Sequence, residues 1–115
     1  MANENVVIEK RYPEIGEKLY LQKCTGSYYV DLVKHPYTVV EVKGGSVFVQ
    51  AARLVFYGDR YFDTLPDKIV ADPNGEIIKL TWSKKHGKWQ HKSSPDSKYP
   101  AFAHFGYWDY QPYLD

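Results

Sequence analysis

The stretch YTVVEVKGGSVFVQA, Tyr37 to Ala51, decides the fold class of this 115-residue chain. Two strand-forming runs flank Gly44-Gly45, and paired glycines suit the positive φ angles of a two-residue hairpin turn. The register that follows from this turn places three pairs on one face of the hairpin: Val42 with Val47, Val40 with Val49, and Thr38 with Ala51. The stretch therefore predicts two antiparallel strands with one buried face.

Further strands are indicated on both sides of this hairpin. EKLYLQK and YYVDLV predict short strands upstream, whereas helical periodicity is weak throughout. Downstream, KIVADPNGEIIKLTW predicts strands near 68–71 and 76–82 around a turn in which Gly75 takes the left-handed position. A third strand near 88–92 returns after Gly87, which supplies another positive φ. We therefore expect these last three strands to form one meander.

The composition is that of a globular domain with many aromatic side chains. Aromatic residues make up 17% of the chain, and eleven of them are tyrosines; such residues favour strands. The single cysteine, Cys24, excludes an internal disulfide and fits a reducing compartment. The chain has neither the pattern of a secretory signal nor an apolar run of transmembrane length. We expect a cytoplasmic protein without a membrane partner.

Short strands joined by tight turns predict an all-β fold, a small antiparallel barrel within a single domain, residues 1–115. We place the barrel at about 15–92 and an aromatic extension at about 93–115, because Pro95, Pro100 and Pro112 oppose a long regular element there. The extension is too apolar to be disordered. We expect it to lie across the barrel or along an open edge.

The order of a strand EKLYLQK, a divergent loop and the hairpin PYTVVEVKGGSVFVQ resembles the small SH3-like barrels, including those of KOW and tudor domains. This resemblance spans roughly Ile15 to Val55 and is one of pattern. The chain is also similar to small uncharacterised proteins of bacteriophages and prophages, over RYFDTLPDKI, GEIIKLTWSKKHGKWQ and YPAFAHFGYWDYQPYLD. That second resemblance implies a cytoplasmic accessory protein without known catalytic residues.

The first function hypothesis is binding of a protein partner, still unidentified, through exposed aromatic side chains. Tyrosine and tryptophan are common anchors of protein interfaces, and the C-terminal segment supplies four candidates: Tyr107, Trp108, Tyr110 and Tyr113. The resemblance to SH3-like domains, whose ligand groove lies between loops, adds Tyr28, Tyr29 and Tyr37. In the alternative interpretation, the C-terminal aromatics close the bottom of the barrel.

The second hypothesis is nucleic-acid binding by the lysine-rich hairpin of residues 79–92, KLTWSKKHGKWQHK. Residues 79–98 contain six lysines and one acidic residue, although the net charge of the whole chain is only +1. Alternation places Trp82 and Trp89 on the core side, so bases would have no exposed ring to stack on. Contact would therefore be with phosphates, through Lys79, Lys84, Lys85, Lys88 and Lys92. Otherwise these lysines form a solvated outer face.

The residues predict no metal ion, cofactor or catalytic site. The four histidines are not spaced as zinc ligands are. Cys24 with His35 is better explained as a packing or loop thiol than as a catalytic pair, and turn capping better explains Asp59, Asp63 and Asp67. A small hydrolase is the least favoured function. The oligomeric state is open between a monomer and a homodimer that pairs edge strands around Val6–Lys10.

Overall fold

A closed barrel of six antiparallel strands forms the body of the molecule. The structure, a computed structural model, describes residues 9–27, 31–58, 65–94 and 96–112. The strands of this part of the chain are β1 Lys18–Lys23, β2 Lys34–Lys43, β3 Ser46–Ala51, β4 Arg53–Val55, β5 Lys68–Val70, β6 Ile77–Ser83, β7 Lys88–His91 and β8 Ala101–Phe105. The barrel order is β1-β2-β3-β6-β7-β8, and β4 and β5 form a separate two-stranded ribbon. The predicted all-β class and small antiparallel barrel are confirmed.

The hairpin of β2 and β3 turns at Gly44-Gly45, whose φ angles are 60° and 79°. Near the turn the expected register holds, but a β-bulge at Val40 shifts it by one residue. Val39 therefore lies opposite Val49 and enters the core, where it is 1% exposed. An inserted residue leaves no mark in a run of valines, so sequence alternation cannot reveal it. Two expected pairings are wrong for this reason: Val40 with Val49 and Thr38 with Ala51.

The predicted three-stranded meander forms only in its second half. β6 and β7 pair around Gly87, whose φ is 63°. The other neighbour of β6 is β3, whereas β5 pairs with β4. Gly75 does not have the expected left-handed φ; it is required because a Cβ there would lie 2.2 Å from the carbonyl oxygen of Ala51. The segment between β5 and β6 thus crosses from the ribbon to the barrel.

The strand predicted at YYVDLV is wrong for its described part, because Asp31 and Leu32 are helical and the Asp31 N–H donates to the Ser27 carbonyl oxygen at 2.9 Å. The edge strand considered around Val6–Lys10 lies largely outside the described residues. Among the described residues, no helix is both long enough and apolar enough to cross a membrane.

The interior of the barrel is apolar. Its buried core consists of Leu19, Leu21, Val39, Val47, Val49, Leu80, Trp89 and Ala103. Trp82 lies opposite Trp89 in the β6–β7 hairpin, and their rings meet edge to face with centroids 5.4 Å apart. Trp82 packs against the core, and Trp89 is 3% exposed. Both tryptophans face inward, as the alternation of the hairpin predicts.

The two ends of the barrel differ. At one end the N-terminal segment covers Trp89, whose Nε1 donates to the carbonyl oxygen of Arg11 at 2.8 Å. The ring of Tyr12 packs on Trp89 at 5.5 Å between centroids, and Lys10 Nζ reaches the Gly45 carbonyl oxygen at 3.3 Å. We call this the closed end. The opposite end, where Lys23 pairs with Ala101, opens into a cavity, and we call it the mouth.

The C-terminal segment completes the barrel and then runs along its outside. β8 pairs with both β1 and β7, so it supplies the closing strand. The predicted end of the barrel near residue 92 is therefore wrong. The sequence does not reveal this strand, because the short run AFAHF follows closely after prolines and carries no turn signal of its own. Beyond β8, Gln111 and Lys34 form an antiparallel backbone bridge, which holds the segment against the start of β2.

Candidate functional site

A groove of about 490 Å³ separates the β4–β5 ribbon from the C-terminal segment. Residues 65–69 line one wall, residues 106–110 line the other, and Lys18 contributes from β1. We call this the ribbon–tail groove. Its most exposed apolar side chains are Leu65 at 51% and Tyr107 at 55%. Exposed aromatic and aliphatic side chains in one concave site are typical of binding surfaces.

The tail wall of this groove is held in place by the barrel. Trp108 Nε1 donates to the Tyr37 carbonyl oxygen at 3.0 Å, and Lys18 Nζ lies 4.4 Å from the centroid of the Trp108 ring. Lys34 Nζ forms a salt bridge with Asp109 Oδ2 at 3.0 Å. Because one edge of Trp108 is fixed in this way, the wall is ordered before any ligand arrives, which lowers the entropic cost of binding.

An aromatic cluster on the outside of the barrel, formed by Tyr20, His104 and Tyr107, packs against the C-terminal segment. Tyr20 is buried on the outside of β1, where its ring stacks on His104 with centroids 4.8 Å apart. The hydroxyl oxygens of Tyr20 and Tyr107 lie 3.4 Å apart. This hydrogen bond, together with burial, raises the pKa of Tyr20 to about 12. Sequence pattern alone does not reveal this cluster, since its members lie on β1, on β8 and in the C-terminal segment.

The predicted protein-binding residues divide between two places. Tyr107, Trp108 and Tyr110 come together in the ribbon–tail groove. Tyr37 lines the cavity at the mouth instead. The ribbon side of the groove was missed, because no local pattern ties residues 65–69 to the C-terminal segment. Three predicted residues lie outside the described part of the chain: Tyr28, Tyr29 and Tyr113.

The lysine-rich hairpin presents all of its predicted lysines to solvent, namely Lys79, Lys84, Lys85, Lys88 and Lys92. They follow the length of the hairpin rather than forming one compact patch: strand geometry separates Lys79 from Lys84 by roughly 17 Å. Lys88 Nζ lies over the Phe102 ring, 5.4 Å from its centroid. The two tryptophans of the hairpin face the barrel interior, so neither offers its ring to a base beside these charges.

The mouth of the barrel contains a second cavity, of about 360 Å³. Inward-facing positions at the ends of β1, β2, β7 and β8 line it together with Val33: Leu21, Lys23, His35, Tyr37, His91 and Ala101. It brings His35 and His91 to one place although they are distant in sequence. His91 Nδ1 lies 3.3 Å from the Lys79 carbonyl oxygen, and burial among the mouth residues lowers the pKa of His35.

Cys24 and His35, the two residues considered as a thiolate pair, line different pockets. Cys24 is exposed and lines a small pocket with Asp31 and His104 rather than with His35. Asp31 accepts hydrogen bonds from Thr25 N, Thr25 Oγ1 and Gly26 N, and the bond from Thr25 N does most to lower its pKa.

Of the three carboxylates Asp59, Asp63 and Asp67, only Asp67 lies within the described residues. Asp67 Oδ2 accepts from the Tyr57 N–H at 2.6 Å, a hydrogen bond that joins the two ends of the connection between β4 and β5. Within the described ranges, no group of three or more His, Cys, Asp or Glu side chains is arranged to hold a metal ion.

Lowering the pH from about 7 to 5 is expected to reduce the free energy of unfolding. Burial lowers the pKa of both His35 and His104 from the ordinary value of 6.5, so the unfolded chain takes up protons first as the pH falls. This contribution to the free energy of unfolding is present above the pKa that the two histidines have in the unfolded chain. It is lost as the pH falls from there through their lower folded-state pKa. Urea unfolding across this range measures the slope. His35→Gln with His104→Gln should flatten it, and stability that rises on acidification would contradict the prediction.

Comparison of the chain with models of protein families, with curated proteins and with solved structures finds no match.

Proposed function

We propose that this protein is a non-catalytic protein-interaction module that receives an apolar segment of a partner protein in the ribbon–tail groove. One observation carries the proposal: Tyr107, Trp108 and Tyr110 converge on a groove whose opposite wall includes Leu65 and Ile69. A fixed tryptophan beside two exposed apolar side chains has the composition of an interface hot spot. The partner would insert one or two apolar side chains between the walls.

The proposal includes an SH3-like architecture and a role as a cytoplasmic accessory protein of a phage or prophage. The six-stranded antiparallel barrel is compatible with an SH3-like barrel. Aromatic side chains between loops form the ligand groove in many such domains, and the ribbon–tail groove would take that place here. The phage or prophage role is supported only by the similarity of sequence pattern described above.

Affinity capture from bacterial lysate, with quantification of each captured protein, tests the groove. Replacing Leu65 and Tyr107 together by alanine should reduce capture of the true partner about tenfold or more, because anchors of this kind dominate binding energy. The matched control replaces Ile77 and Tyr99, which are 55% and 48% exposed elsewhere on the surface. A partner retained by the groove variant, or lost equally from both variants, would contradict the proposal.

Phosphate binding by the lysine-rich hairpin is the second candidate, favoured by the exposure of its five lysines. Nuclease treatment of the lysate separates it from protein binding, because only nucleic-acid-mediated capture is then lost. Binding to DNA or RNA probes should weaken steeply with salt. It should also weaken when Lys84, Lys85 and Lys88 are replaced together by glutamate. Absence of binding at low salt would reject this candidate.

A further inference from the structure

We infer that the mouth of the barrel is a separate binding site, which takes a small organic anion with an aromatic or other apolar body. The site is independent of the ribbon–tail groove, and the two cavities have no lining residue in common. The site lies at the mouth because only the other end of the barrel is covered by the N-terminal segment. The N-terminal segment seals the closed end against Trp89, whereas the barrel interior meets solvent at the mouth.

The walls of the cavity suit an apolar body. Leu21, buried at 5% exposure, forms part of the floor together with partly buried Val33 and Ala101. The cavity of about 360 Å³ falls in the range of small-molecule sites, roughly 300–1,000 Å³. A bare inorganic anion would lose its hydration against these walls with little compensation. A flat ring, in contrast, would gain burial and contact with the rings of Tyr37 and His35.

The polar groups of the cavity favour a negative charge. Lys23 stands at the rim, and Tyr37 and His35 are the other lining residues at this end of the barrel that carry hydrogen-bonding groups. The described lining residues include no acidic side chain. Burial raises the pKa of the Tyr37 hydroxyl, and Glu76, which lies outside the lining, is near enough to help raise it, so the anion would bind on the Lys23 side of the mouth. The combination of an apolar interior and a cationic rim therefore selects an aromatic carboxylate or a related acid.

Titration with 2-naphthoate, followed by fluorescence and by amide chemical shifts, tests the site. The expected result is saturable binding with shifts at Leu21, Val33 and Ala101 and none at the closed end around Trp89. The neutral isostere 2-naphthamide should bind about fivefold more weakly, a discrimination in keeping with one solvent-exposed charge. Shifts confined to another surface, or no saturable binding of 2-naphthoate, would overturn the inference.

Two substitutions separate shape from charge. Ala101→Leu should fill the cavity and abolish binding of both probes, while Lys23→Gln should remove the preference for the carboxylate but retain the amide. Lys43→Gln is the control for Lys23→Gln, because Lys43 is also exposed but lies at the end of β2 that is away from the mouth. If Ala101→Leu fails to fold, the comparison of Lys23→Gln with Lys43→Gln and the positions of the amide shift changes still test the inference. If Lys23→Gln prefers 2-naphthoate over 2-naphthamide as strongly as the wild-type protein does, the role of Lys23 in binding the carboxylate is contradicted. Alanine at Leu65 and Tyr107 should leave this binding unchanged.

Discussion

Replacing Val39 by aspartate is expected to unfold the barrel, whereas the same substitution at Val40 is expected to leave it folded. Val39 is 1% exposed and lies opposite Val49 in the core. A carboxylate there would be buried without an ionic partner, which costs several kcal/mol, on the order of the whole stability of a small domain. Val40 occupies the bulge and is only partly buried, so its carboxylate can reach water.

Circular dichroism and urea unfolding of the two variants measure this difference. The comparison is well matched, because the two positions are adjacent, carry the same residue and receive the same replacement. Regular alternation from the Gly44-Gly45 turn predicts the opposite ranking, with Val40 buried. If Val40→Asp unfolds the protein and Val39→Asp does not, the register of β2 is the one without a bulge. Equal effects would mean that neither face is specifically buried.

Replacing Trp89 by alanine is expected to lower the free energy of unfolding by about 3–5 kcal/mol, the usual cost of removing a large buried aromatic side chain. The substitution removes packing against Trp82 and against Tyr12. It also removes the donor to the Arg11 carbonyl oxygen. The N-terminal segment should therefore detach from the closed end while the rest of the barrel loses stability.

Urea unfolding measures the first effect, and limited trypsin cleavage after Lys10 and Arg11 measures the second. Trp82→Ala is the control, since Trp82 is only partly buried and has no hydrogen bond to the N-terminal segment among the described contacts; it should cost less and leave cleavage slow. Trp89→Phe should retain much of the stability but accelerate cleavage. A Trp89→Ala protein as stable as the Trp82 variant would contradict the described closed end.

Local signals in the chain were reliable where a structure depends on neighbours in sequence. The glycine turns at Gly44-Gly45 and Gly87 appear where expected, with positive φ angles. The alternation of β6 correctly places Leu80 inside and Lys79 outside. These features follow from steric limits on φ and from burial of alternate side chains, and both can be read over a few residues.

The candidate sites were only partly predictable. The aromatic richness of the tail was visible, and Tyr107, Trp108 and Tyr110 do share one groove. Their counterparts at Leu65 and Ile69 were not visible, because the ribbon forms by pairing of β4 with β5 across a long loop. The mouth cavity was also hidden. His35 and His91 stand on different strands, and only closure of the barrel brings them together.

The sequence by itself determined the all-β class, the tight turns and the outward lysine face, because turn chemistry and period-two alternation act within a single hairpin. Tertiary structure alone decided three further points. The bulge at Val40 chose Val39 for the core, β5 left the expected meander to pair with β4, and AFAHF became the strand that closes the barrel. Each depends on the competition between pairings of distant segments, which is resolved by the packing of the whole core rather than by any local pattern.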